Sequence, residues 1–178
     1  MGKAGREWQE VDVVLRNFEG RVGTARRAYL NYLEEEAGKG KQPELGDDVQ
    51  CIMLSPLVCS TKRAGEKYPQ FLLPRDEGFE RVLLENLMGK YEALYGHAFE
   101  GSAELQFEVP EEYLERKNEK ITKLVTLKEG SPDETKVRGT LAPFRLRVPK
   151  ELMEVGYYCG FGGLNAQGFG MVKVGGGR

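Results

Sequence analysis

The chain has 178 residues and a mass of 20.0 kDa, with 40% hydrophobic and 30% charged residues and a formal net charge of −2. That is room for one packed domain and an appendage, and the charge excludes a protein sheathed in positive potential. No apolar run approaches the ~20 residues that span a bilayer, and the polar residues 1–10 lack a signal-peptide core, so a cytoplasmic protein without membrane partners is expected.

Residues 24–36 read as a helix, with Thr24 as N-cap and Ala28, Leu30, Tyr32 and Leu33 as apolar positions. It stops in the glycine- and lysine-rich stretch 37–43, which places a domain boundary near 45–48. Residues 49–60 are dominated by Val, Cys, Ile, Met and Leu and read as one buried strand, with Pro56 marking an edge or a bulge. Lys62, Arg63 and Lys67 follow in a polar segment that reads either as a solvated loop or as an RNA-contacting one. Residues 76–95 form a predicted helix: Phe79, Val82, Leu83, Leu87, Tyr91 and Leu94 recur at three- and four-residue spacing, and Gly96 supplies the stop.

Residues 103–109 alternate with Leu105, Phe107 and Val109 on one face, as a half-buried strand does. The charged run 111–119 reads as a solvated helix or turn. Residues 121–127 and 137–148 read as strands joined by a turn-rich link at 129–134. Within the second, Arg145 and Arg147 alternate with Phe144, Leu146 and Val148, so both arginines share one face. A helix over 149–155 begins with proline, and residues 171–174 close the pattern as a strand. Strand, helix, strands, helix, strand fits an α+β, ferredoxin-like (RRM-like) βαββαβ sandwich spanning 47–178, with a hairpin extension and a helical appendage at 1–46.

Cys51, Cys59 and Cys159 show no CxxC spacing and read as buried reduced thiols, with no metal site expected. His97 is the only histidine; following Gly96 at a helix end, it reads as structural or solvent-facing. From residue 136 onward seven cations (Lys136, Arg138, Arg145, Arg147, Lys150, Lys173, Arg178) stand against Glu151 and Glu154, so one basic face is available inside an acidic whole.

Residues 160–170 carry the most information. Gly160, Gly162, Gly168 and Gly170 give G-x-G-x5-G-x-G, with Gly163 extra. Such a loop can adopt positive φ, approach other backbone closely and turn N–H groups toward an anion. Its order is helix, loop, strand, the reverse of dinucleotide- and mononucleotide-binding loops, which excludes both.

The loop resembles the glycine-rich signature of the RAMP superfamily of CRISPR proteins. The resemblance continues upstream through Leu54-Ser55-Pro56-Leu57-Val58, Phe71-Leu72-Leu73-Pro74, residues 79–91 with Asn86, Leu87 and Lys90-Tyr91, and residues 144–148. It spans about residues 48–175 and is closest to the repeat-processing endoribonucleases. It implies a protein that binds CRISPR repeat RNA near the loop, needing no cofactor. In that family cleavage is metal-independent: the ribose 2′-OH, already tethered beside its phosphate, attacks it with help from a histidine of a first ferredoxin-like domain.

That first domain has no counterpart in the 46 residues preceding the boundary, so impaired catalysis is expected and no catalytic residue is assigned. A homodimer, or a partner supplying the other half, follows as an expectation. A non-catalytic self-associating module is the alternative. Residues 14–45 resemble instead the tail of REP-associated tyrosine transposases, through Val14-Leu15, Phe18, Ala25-Arg26-Arg27, Tyr29 and Gly40 to Leu45. The expected RNA contacts are Gly160, Gly162, Gly163, Gly168, Gly170, Arg145, Arg147, Lys62, Arg63 and Lys173, with the two arginines on a sheet face near the loop.

Overall fold

The computed structural model describes residues 43–61 and 66–175. The predicted helix at 24–36, the transposase-like stretch 14–42, Lys62 and Arg63 lie outside them.

Four strands make the main sheet: β1 (Asp48–Met53), β4 (Gln106–Glu108), β7 (Pro143–Arg147) and β8 (Val172–Val174), in the order β4-β7-β1-β8 and antiparallel throughout. Two helices connect them, α1 (Phe79–Tyr95) after β1 and α3 (Lys150–Cys159) after β7. This is the expected ferredoxin-like βαββαβ arrangement, with β1 bonded on one side to β7 and on the other to β8. Two hairpins are added: β2 (Cys59–Thr61) with β3 (Gln70–Leu72), and β5 (Thr122–Leu127) with β6 (Thr135–Thr140). The second is the predicted extension between the second and third main strands.

Strand alternation decides which side of the sheet is covered. Val49, Cys51 and Met53 share one core cluster with Phe79, Leu83 and Leu87 of α1, Leu152 and Met153 of α3, and Phe107, Phe144 and Leu146. Their neighbours Asp48 and Gln50 point the other way and are exposed. Ile52 also points away from the helices, and is buried beneath Tyr113 of α2 (Glu111–Arg116) together with Ala142. The charged run 111–119 is therefore more than a solvated turn, because its Tyr113 covers Ile52 on the open face.

Helix α1 is stopped as the sequence predicts: Gly96 takes φ 78° and its N–H donates to Glu92 O at 2.8 Å. Leu94 departs from the predicted apolar stripe and is exposed. Helix α3 runs to Cys159, further than predicted, with Pro149 as N-cap rather than first helical residue.

Two predicted strands are each divided. Residues 49–60 break after Met53, and β2 pairs with β3 instead of continuing the main sheet. Residues 137–148 break at Leu141-Ala142, leaving β6 in the hairpin and β7 in the main sheet. The two breaks face each other, with Leu57 N–H donating to Thr140 O and Thr140 N–H to Leu57 O, both at 2.8 Å. The predicted strand 103–109 is hydrogen-bonded only over Gln106–Glu108, although its inward alternation holds beyond them. Among the described residues no helix is long and apolar enough to cross a membrane.

Candidate nucleic-acid interface

The glycine-rich loop joins α3 to β8. All four spaced glycines take positive φ: Gly160 at 88°, Gly162 at 69°, Gly168 at 92° and Gly170 at 70°. Close approach is a second demand. A methyl group at Gly162 would strike the carbonyl oxygen of Val58, and one at Gly170 that of Phe161. Gly163 carries neither constraint, since its φ is not positive and a methyl would stand 3.7 Å from Val58 O.

Most of the loop's polar groups are already spoken for. Gly163 N–H donates to Val58 O (2.8 Å), Gly170 N–H to Pro56 O (2.9 Å), Phe161 N–H to Gly170 O (2.9 Å) and Met171 N–H to Ser55 Oγ (2.8 Å). Asn165 Nδ2 spans the loop, donating to Phe161 O and Phe169 O. Phe161 and Phe169 are fully buried in the core. The loop is thus clamped onto the link between β1 and β2, and these amides are not aimed at an anion. The feature that anchors it from below is Lys90 of α1, whose Nζ donates to Gly160 O at 2.6 Å and Gly162 O at 2.7 Å. Burial lowers the Lys90 ammonium to about 8, against opposing influences from Cys159 and Cys59.

Arg145 and Arg147 share the open face of the sheet, as expected, but they are not near the loop. Arg147 pairs with Asp48 at the start of β1, whereas the loop feeds β8 opposite Met53 at its end, about 17 Å along the strand. Nor are they unengaged. Asp48 accepts from Arg145 Nε and Nη2, both at 2.6 Å, and from Arg147 Nε at 3.1 Å. Arg147 Nη1 also donates to Gln106 at 3.0 Å and Glu108 at 3.5 Å. The Arg145 hydrogen bond, helped by Arg147, holds the Asp48 carboxyl at about 2 against the opposing cost of burial, and Asp48 raises Arg145 in turn. Lys173 lies opposite Ile52 on this same open face.

The β5–β6 hairpin offers cations in a different setting. Val125 and Val137 turn inward as a cross-strand pair; the pairs Leu124 with Arg138 and Thr126 with Lys136 turn outward. Lys136 and Arg138 are exposed and have no carboxylate partner among the described residues. At the hairpin tip Asp133 is engaged with Lys128 Nζ at 3.4 Å and Glu134 with Gly130 N–H at 3.0 Å, while Glu129 is exposed. These two cations stood in the sequence as part of a charge excess; only the strand register shows that they share a face. Asp48 left no such signal, because its partners are almost a hundred residues away.

His97 is exposed beyond α1, with Nδ1 3.0 Å from Ala98 O and its ring edge-on to Tyr91 and tilted against Tyr95. Cys51 and Cys59 are buried, and burial pushes both thiols up to about 12; Cys159 is half-buried. Among the described residues no three His, Cys, Asp or Glu side chains group as a metal site.

Comparison with known proteins places this architecture. The family model for CRISPR associated protein Cas6, C-terminal, matches residues 40–174. A CRISPR-associated endoribonuclease Cas6 of Pyrococcus furiosus is 28% identical over 138 residues, covering 78% of this chain and 46% of the relative. Among solved structures, that of a Cas6-related gene from Pyrococcus furiosus is 28% identical with a TM-score of 0.59, covering 75% of this chain and 50% of the other. An RAMP protein binding different RNA substrates is 31% identical with a TM-score of 0.58, covering 75% and 51%. The chain therefore spans about half the length of these relatives. The transposase-tail resemblance gains no support from these matches, and residues 40–45, which carried part of it, fall inside the Cas6 match. With the glycine-rich loop, the ferredoxin-like sheet order and a family match over three-quarters of its length, the chain belongs to the CRISPR-associated Cas6 family and carries that family's C-terminal domain.

Proposed function

We propose that this chain binds CRISPR repeat RNA, as the C-terminal half of the endoribonuclease that processes repeat transcripts. The observation that carries the reading is the G-x-G-x5-G-x-G loop, with positive φ at each spaced glycine, seated at the edge of a ferredoxin-like sheet in a Cas6-family chain. Phosphate contacts fall first to Lys136 and Arg138, exposed and without an acidic partner among the described residues. Arg145 and Arg147 are weaker candidates than their sequence pattern suggests, since contacting phosphate would cost them the Asp48 carboxylate. Cleavage, where it occurs, is metal-independent attack by the 2′-OH, which needs a base and an acid within hydrogen-bond reach. In the 178-residue polypeptide the one histidine sits at the end of α1 against tyrosine rings, so slow or undetectable cleavage is expected of it by itself.

The test is fluorescence anisotropy with the cognate repeat RNA in EDTA across a salt series, with product analysis on the same samples. Binding with a clear salt slope and little cleavage is expected. Lys136→Ala with Arg138→Ala should weaken binding and flatten the slope by about 1.4, at roughly 0.7 per lost single-strand contact. Arg145→Ala with Arg147→Ala should do less. No affinity in the parent chain at low salt refutes RNA binding; an unchanged slope in the first double variant refutes the hairpin as the contact.

A further inference from the structure

Lys90 lies on the buried side of α1, where an apolar residue would complete the helix stripe. It is the one ammonium placed beneath the glycine-rich loop among the described residues. Its nitrogen reaches two carbonyls of that loop, Gly160 O and Gly162 O, on either side of the buried Phe161. Gly160 is also the C-cap of α3, so the ammonium sits at the negative end of a ten-residue helix, where a cation is favoured. The groups that face it from neighbouring elements are the thiols of Cys59 on β2 and Cys159 on α3, and no carboxylate pairs with it among the described residues. A half-buried charge without an acid, satisfied instead by two backbone oxygens of one loop, carries a desolvation cost that fixing the loop's shape would offset.

We infer that Lys90 is the positioning residue of the glycine-rich loop, its charge fixing the Gly160–Gly162 turn in the shape that RNA meets. This rests on the RNA-binding reading above, and it adds a pH range to that reading. Burial already brings Lys90 down to about 8, so at neutral pH the ammonium is intact, and above 8 it loses its charge and its grip on both carbonyls weakens.

The experiment separates loop from RNA. Amide hydrogen exchange at fixed pH 7, without RNA, is compared for the parent chain, Lys90→Met and Lys90→Arg. In Lys90→Met, which loses both charge-assisted hydrogen bonds, the amides of Phe161, Gly163 and Gly170 should exchange at least about tenfold faster. Amides of β1 and β7 should be unchanged, which shows that the fold survives. Repeat-RNA affinity is then followed from pH 7 to 9. The parent should weaken above about 8, Lys90→Met should be weak and flat across the range, and Lys90→Arg, which does not titrate, should bind and stay flat. Unchanged loop exchange in Lys90→Met overturns the inference whether or not RNA binds. Faster exchange with parental RNA affinity overturns its link to RNA. Faster exchange in a chain whose parent binds no RNA leaves Lys90 as the loop's anchor and removes the RNA-binding reading instead.

Discussion

Gly162 and Gly163 are neighbours with opposite tolerances. At Gly162 an alanine meets both a positive φ and the Val58 carbonyl, whereas at Gly163 it meets only ordinary van der Waals distance. Gly162→Ala is therefore expected to cost about 2–4 kcal/mol and Gly163→Ala within about 0.5, read from paired urea melts. The Asp48 carboxylate makes a prediction in pH. Its folded-state value is depressed to about 2 from an ordinary 3.8, so it stabilises the fold above roughly pH 4 and that contribution fades as pH falls toward 2. Asp48→Asn should flatten the acid limb of the melting-temperature profile between pH 4 and 2. An unaltered limb would mean that the Arg145–Asp48–Arg147 cluster does not couple to folding.

At the scale of elements, alternation and helix spacing carry most of what sequence can say. They place Phe79, Leu83 and Leu87 inward on α1, and set Arg145 and Arg147 outward in alternation with Phe144, Leu146 and Val148. They do not show where an apolar run changes partner. Leu54, Leu57 and Val58 stay buried while the chain leaves the main sheet for the small hairpin, because hydropathy reports burial and is silent on which strand lies alongside. Helix α2 misleads in the other direction. Four of its six residues are charged, yet Tyr113 and Leu114 are buried, and Tyr113 covers Ile52. Tyr113→Ala should cost about 3 kcal/mol, as for a large aromatic removed from a core, and calorimetry that finds less than about 1 would show α2 to be a passive flap. In the site, the loop was legible from its glycines, while Lys90 and Asp48 were not. Each acts on groups more than 65 residues away, and nothing local marks them.

For the whole molecule, a net charge of −2 confines any RNA to a local basic surface. On the RNA-binding reading proposed above, the exposed cations of the β5–β6 hairpin would be ready for phosphate, while Arg145 and Arg147 would first have to give up Asp48. The strand order has a consequence of a different kind, in time. β1 is the first main strand to leave the ribosome and one of the two central strands of the finished sheet, yet both of its partners, β7 and β8, come from the last third of the chain. Roughly 90 residues separate Met53 from Pro143, so at about 5–20 residues per second the segment Val-Gln-Cys-Ile-Met waits several seconds with both edges unpaired. During that wait it is a short, uncharged, β-prone stretch, the kind that seeks edges on other chains. Among the described residues, helix α1, complete long before β7, is the one long element synthesised early enough to shelter its apolar face. The Phe79, Leu83 and Leu87 stripe is thereby expected to shield the nascent strand before it serves as a core.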